Sequence, residues 1–252
     1  QVLASALLLA AENVGSGIDG VTLPEFLDEV LAVFLAAHVI PAMPATRRRL
    51  QAQLGEGGFI AAYSLLSLGL FAWLIREVLL APYVPLWFLG PTGYWVALVL
   101  MPLALLLLGT GALAPNPLSI AFVTGAFDPE RPGAVALTRH PILWGLALWG
   151  LAHLPANGHL AGLALFGTLG VFALIGLLVV EGRRRPPLGE DRWTRLAART
   201  SFLPFVALLA GRAPWPRDRR TLLGGAAGLG VAILLLAGAH LWLFQRDPLA
   251  FL

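Results

Sequence analysis

The chain has 252 residues, of which 58% are hydrophobic and 12% charged, with a net charge of +3 and a mean hydropathy of +0.79. A water-soluble domain carries about 25% charged residues, so this composition excludes an ordinary soluble enzyme and points to an integral membrane protein. There is no cysteine, which excludes disulfides, iron–sulfur clusters and thiolate ligation, and the 17 basic residues are all arginine, suited to loops beside lipid headgroups rather than to a nucleic-acid surface.

Gln1 is not an initiator, and the apolar run Val2–Ala11 is too short to span a bilayer and lacks the basic start of a signal peptide. Residues 1–24 are therefore expected to be a truncated or peripheral extension, and 25–252 a single transmembrane domain. Apolar stretches follow at 25–43, 58–80, 94–113, 140–156, 160–180 and 222–244, most of them close to the roughly 20 residues a crossing needs. The fourth is short, and only Ala156, Asn157 and Gly158 separate it from the fifth, so these two are expected to form a tight helical hairpin. Phe202–Ala210 is too short to cross and reads as interfacial or re-entrant. Glu190, Asp191, Arg192, Trp193, Thr194 and Arg195 read as a short amphipathic helix on the inner surface. The expected fold is an all-α polytopic membrane bundle of about six spans with an additional interfacial helix.

Arginine placement orients the bundle. Arg47, Arg48 and Arg49 follow the first span, Arg131 and Arg139 follow the third, and ten arginines from Arg183 to Arg220 lie between the fifth and sixth. By the positive-inside rule these segments are cytoplasmic and both termini lie outside, as in a multi-pass protein of a bacterial inner membrane in contact with lipid.

Three histidines stand in or at the ends of apolar stretches: His38, His140 and His153. An ionisable side chain at membrane depth is costly and marks a functional site by default, and imidazole is the commonest metal ligand. His140 and His153 are 13 residues apart, which on one helix is about 20 Å and about 220° of rotation, so they cannot share an ion. Counting depth along the spans pairs His38 with His140 slightly better than with His153. Each could instead hydrogen-bond a neighbouring carbonyl. His140 could also contact headgroups or start a helix before Pro141. His159 reads as a solvated loop residue and His240 as interfacial. Leu146, Trp149 and Gly150 share the face of His153, which suits a flat apolar cofactor or, equally, small-residue helix packing.

The same residues carry a resemblance. Ala37-His38 followed by Arg47–Arg49, then Leu54-Gly55-Glu56-Gly57-Gly58-Phe59, Thr138-Arg139-His140-Pro141 and Leu151-Ala152-His153-Leu154-Pro155-Ala156-Asn157-Gly158 together resemble the NnrU family of bacterial multi-pass membrane proteins, over roughly residues 30–180. His240-Leu241-Trp242-Leu243-Phe244 resembles the tail of its longer members. The family's bacterial name is associated with nitrite and nitric oxide reduction, and its carotene isomerase branch acts on polyenes with haem b. The resemblance implies haem b here, with His38 and His153 as axial ligands and an apolar small-molecule substrate. It leaves His140, with Arg139, as an alternative ligand or an acid–base group, and Arg139 as a partner for haem propionates. Where the isomerase branch has a redox-switching cysteine, this chain has Gly150. Arg139 to Gly145 also resembles the S-adenosylmethionine-binding sequence of isoprenylcysteine and phospholipid methyltransferases, whose acidic motif is faintly suggested by Glu181-Gly182-Arg183; a membrane methyltransferase is the alternative function.

Overall fold

A computed structural model describes residues 25–123, 125 and 127–251; the extension read at 1–24 lies outside them. Among the described residues the chain is helical, with one isolated β-bridge between Pro85 and His159 and no strand. It divides into two compact units. The first runs to Trp87 and takes in His159–Leu165; the second joins Phe88–Gly158 to the chain from Phe166 onward.

In the first unit, α1 (Glu25–Ala42) packs along α2 (Pro44–Leu80). α1 buries Leu27, Val30, Leu31, Phe34 and Leu35, the spacing of a single helical face. Met43 is extended between the helices and Pro44 opens α2, where a missing N–H costs nothing. α2 has 37 residues and is interrupted at Gly55, whose φ is +71°, a conformation open to glycine. The loop expected ahead of residue 58 is thus helical on both sides of one glycine kink.

In the second unit, α3 (Pro91–Leu113) packs against both α4 (Pro141–His153) and the helix starting at Arg219. α5 begins among the first unit's residues at Leu160–Gly162, loosens into a π-helical turn over Leu163–Gly167 and continues in the second unit as Thr168–Leu188. α6 (Glu190–Ala198) and α7 (Val206–Leu209) follow. α8 runs Arg219–Leu234, passes through a second π-helical turn at Leu235–Ala239 and ends as His240–Phe244. Where two helices meet in lipid there is little hydrophobic drive between them, so close backbone approach over small residues holds them. A Cβ on Gly145 would stand 2.8 Å from the Ala104 carbonyl of α3, one on Gly228 would collide with the Leu105 carbonyl, and one on Gly150 would lie 2.7 Å from the Phe166 carbonyl of α5.

Helical apolar segments thus occupy the six expected stretches. Four are long and apolar enough to cross a membrane: Pro44–Leu80, Pro91–Leu113, Leu160–Pro186 and Arg219–Phe244. α4, with 13 residues, covers only about 20 Å of a hydrocarbon layer about 30 Å thick. α1 has 18 residues and begins with Glu25, Asp28 and Glu29. The fold is an all-helical membrane bundle.

The polar connections of the second unit fold onto its helices. Ala207 and Leu208 of α7 join Leu107, Ala136 and Leu137 in one core cluster, so the Phe202–Ala210 stretch is anchored by protein. Leu196 of α6 packs with Leu118 and Val135, and Trp193 is buried as well, so the apolar face of this amphipathic helix is covered by the chain itself.

Candidate functional site

Pro141 takes the first position of α4, which leaves His140 as its N-cap with φ −128° and ψ 59°. The preceding residues are pinned to the stretch before α7. Arg139 N–H donates to Ser201 O at 2.8 Å and the Thr138 hydroxyl to Phe202 O at 2.7 Å; Trp144 Nε1–H also donates to Phe202 O, at 2.8 Å. Asn116 Nδ2 donates to Arg139 O at 3.0 Å. With the backbone held on both sides, the side chains of residues 139 and 140 are directed at Glu181 on α5.

Arg139 reaches Glu181 through Nε at 3.0 Å and Nη2 at 2.5 Å, and its guanidinium lies over the Trp193 ring at 5.2 Å. His140 is fully buried, with Nε2 2.7 Å from Glu181 Oε2 and Nδ1 2.9 Å from Ser119 Oγ. A carboxylate only accepts, so Nε2–H donates to Glu181, and in the neutral ring Nδ1 accepts the Ser119 hydroxyl. Arg139 cancels the Glu181 charge. The buried ion pair is thus compensated and hydrogen-bonded, the condition for keeping charge out of water.

Arg139 is 8% exposed and His140 0%; Arg139 donates to Glu181 through Nε and Nη2 and to the Thr200 hydroxyl through Nη1 at 3.4 Å. Both ring nitrogens of His140 are engaged, so it has no lone pair to offer iron while Ser119 and Glu181 hold it. The sequence holds no sign of Ser119 as a partner, and marks Glu181 only as part of a faint acidic motif at the end of an apolar span.

His153 and His38 share a different local arrangement. His153 Nδ1 lies 2.8 Å from Trp149 O, and the ring stacks on Phe166 with centroids 4.6 Å apart and planes at 13°. His38 Nδ1 lies 2.7 Å from Phe34 O, and its ring stacks on Phe34 at 4.1 Å. A carbonyl only accepts, so Nδ1 carries the proton in both, and the lone pair falls on Nε2. A backbone hydrogen bond that sets the tautomer in this way is the usual support of a metal-bound histidine. Trp149 stands 5.3 Å from His153, centroid to centroid. Gly150 faces α5: the space beside it is taken by the backbone of Phe166 and Gly170, so its role here is helix packing. His240, in the last turns of α8, has its ring centroid 6.4 Å from that of His153. His159 is not merely a loop residue: it caps α5, Nδ1 accepting the Gly162 N–H at 3.1 Å. Among the described residues there is no group of three or more histidines and carboxylates placed to hold a bare metal ion.

The family model described as NnrU protein matches residues 26–248, nearly the whole described chain. The chain belongs to the NnrU family. The NnrU assignment and the apolar helices together make it a multi-pass membrane protein. It is similar to the chloroplastic 15-cis-zeta-carotene isomerase of Arabidopsis thaliana, at 31% identity over 112 residues, 42% of this chain and 30% of the isomerase. The similarity thus spans less than a third of that relative's length. No solved structure matches.

Proposed function

We propose that this NnrU-family chain is a haem b protein of the bacterial inner membrane that isomerises a double bond in an apolar, carotenoid-like polyene. The observation that carries it is the common preparation of His38 and His153: each has Nδ1–H committed to a backbone carbonyl four residues earlier, Nε2 carrying the lone pair, and a phenylalanine ring against its face. The donor set fits haem, which asks the protein for one or two neutral imidazoles and an apolar surround, and it fits with no thiolate available. The similarity to the carotene isomerase supplies the reaction class.

When bound, haem would supply a Lewis-acidic iron able to lower the barrier to rotation about a conjugated double bond, with no net redox change. The chain's share is orientation and exclusion. Phe166 and Trp149 hold the His153 ring and keep water from it. The Arg139–Glu181–His140 cluster ties the start of α4 to α5, and with the arginine-rich segments cytoplasmic it lies at the inner end of the hairpin. Gly150 stands where a cysteine switch would be, so ligation here rests on imidazole alone.

The optical spectrum of the detergent-purified full chain, expressed with haem supplied, tests this. A Soret band that is lost in H153A supports it; no Soret band in the wild type overturns it.

A second reading is favoured by one observation: Arg139 and His140 both bind Glu181, which unites the two sequences that resemble the membrane methyltransferases. It predicts S-adenosylmethionine binding by isothermal titration, lost in E181Q, and no haem. An accessory role beside nitrite and nitric oxide reduction predicts neither signal.

A further inference from the structure

We propose that residues 44–54 form a surface helix held at the membrane boundary by anionic phospholipid, and that Arg47 couples this contact to His38. The functional consequence rests on the reading of His38 given above; the lipid contact itself does not.

The first ground is length. α2 has 37 residues, about 55 Å of helix against a hydrocarbon layer about 30 Å thick. Gly55, with φ 71° and ψ 169°, divides it. Residues 56–80 alone rise about 37 Å, enough to cross, so residues 44–54 are surplus to the span. They run between two backbone breaks, the extended Met43 and Gly55, and are exposed apart from partial cover of Thr46, Leu50 and Gln51.

The second ground is a fold-back. Arg47 and Phe59 are 12 residues apart (59 minus 47), about 18 Å along an unbroken helix, yet the Arg47 guanidinium lies over the Phe59 ring at 5.6 Å. The bend at Gly55 therefore turns the first part of α2 back toward the second.

The third ground is charge. Residues 44–54 hold Arg47, Arg48 and Arg49 and no acidic residue. Successive helical residues turn by about 100°, so with Arg47 on Phe59 the other two point elsewhere, and both are exposed. The guanidinium fork matches phosphate oxygens, and an anionic lipid surface attracts such a cluster.

The fourth ground is a column of rings from Arg47 to His38. Phe59, itself buried, stacks on Tyr63 at 5.8 Å; Tyr63 meets His38 edge-on at 5.6 Å; His38 lies on Phe34 at 4.1 Å. A cation over a ring and a cation beside an anionic surface are held with comparable strength. Anionic headgroups thus draw Arg47 off Phe59 and loosen the column that ends at His38, so that membrane charge regulates access to that ring.

The full chain, as purified, in nanodiscs of phosphatidylcholine with or without phosphatidylglycerol tests both parts. The chain has no cysteine, so A52C carries a single nitroxide. Its spectrum is expected to show slower motion with phosphatidylglycerol, also in the R47Q background, and no such change with R48Q/R49Q. Deuterium exchange at the His38 imidazole C2 position, read by mass spectrometry, is expected to quicken by more than about twofold with phosphatidylglycerol. R47K should keep that response and R47Q should lose it, while the fully buried His140 should respond in neither. A nitroxide indifferent to phosphatidylglycerol overturns the proposal, as does His38 exchange that ignores lipid charge or responds equally in R47Q. Neither readout needs haem, so a wild type without a Soret band would remove the functional consequence and leave the lipid coupling standing.

Discussion

Glu181 and Arg139, 42 residues apart in the chain, form a two-pronged ion pair in which Arg139 uses Nε and Nη2, and His140 takes the remaining side of the same carboxylate. A single acidic residue on α5 thereby holds both side chains that open α4, with the Arg139 guanidinium over the ring of Trp193.

Removing that acid leaves a buried arginine without its counter-ion. Breaking one side of a buried pair costs about 3–5 kcal/mol; because the Glu181 side chain is 22% exposed, E181Q is expected near or below the lower end. Replacing both partners with apolar residues, as in R139M/E181M, should recover much of the loss. The midpoint of thermal unfolding in detergent, followed by loss of the monodisperse peak, measures both.

His140 and His153 should separate cleanly. H140A is expected to lower thermal stability, by about 1–3 kcal/mol for the hydrogen-bonding groups left unpaired, while leaving any Soret band in place. H153A should remove or shift that band at a smaller cost in stability. The reverse pattern would make His140 the iron ligand.

At the α4–α5 crossing, G150A and G150C force a Cβ to within 2.7 Å of the Phe166 carbonyl. Overpacking of this kind costs about 1–3 kcal/mol. G170A, on the facing helix, meets nothing closer than 3.6 Å and should change stability by less than about 0.5 kcal/mol. Equal effects of the two alanines in a thermal-shift assay would contradict this crossing.

Along α8 the same contrast recurs. A Cβ at Gly224 lies 2.8 Å from the Gly109 carbonyl carbon, whereas one at Gly230 meets nothing within 4 Å. G224A should lower the unfolding midpoint and G230A should leave it unchanged or raised, since alanine is the better helix former by about 1 kcal/mol.

Much of the fold was legible from local chemistry. The six apolar stretches, the tight turn at Ala156–Gly158 and the helix start at Pro141 each depend on a residue and its near neighbours, and each has its helix in the structure. The family was legible too, because the order and spacing of short motifs around His38, Arg139 and His153 survive in one dimension. The Gly55 kink was not: the arginines and glycines ahead of residue 58 separate two apolar stretches in the sequence, whereas in the structure the chain is helical on both sides of Gly55.

What the sequence by itself determined is the solvent, a bilayer, and a set of candidate histidines, because hydropathy and residue type are properties of single positions. What the tertiary structure decided is which partners each histidine meets. Glu181 and Ser119 engage the two ring nitrogens of His140 from 41 and 21 residues away, and the ring of His240 comes to 6.4 Å from that of His153, centroid to centroid. Those pairings depend on the rotational register of packed helices, where one added residue turns a side chain by about 100°.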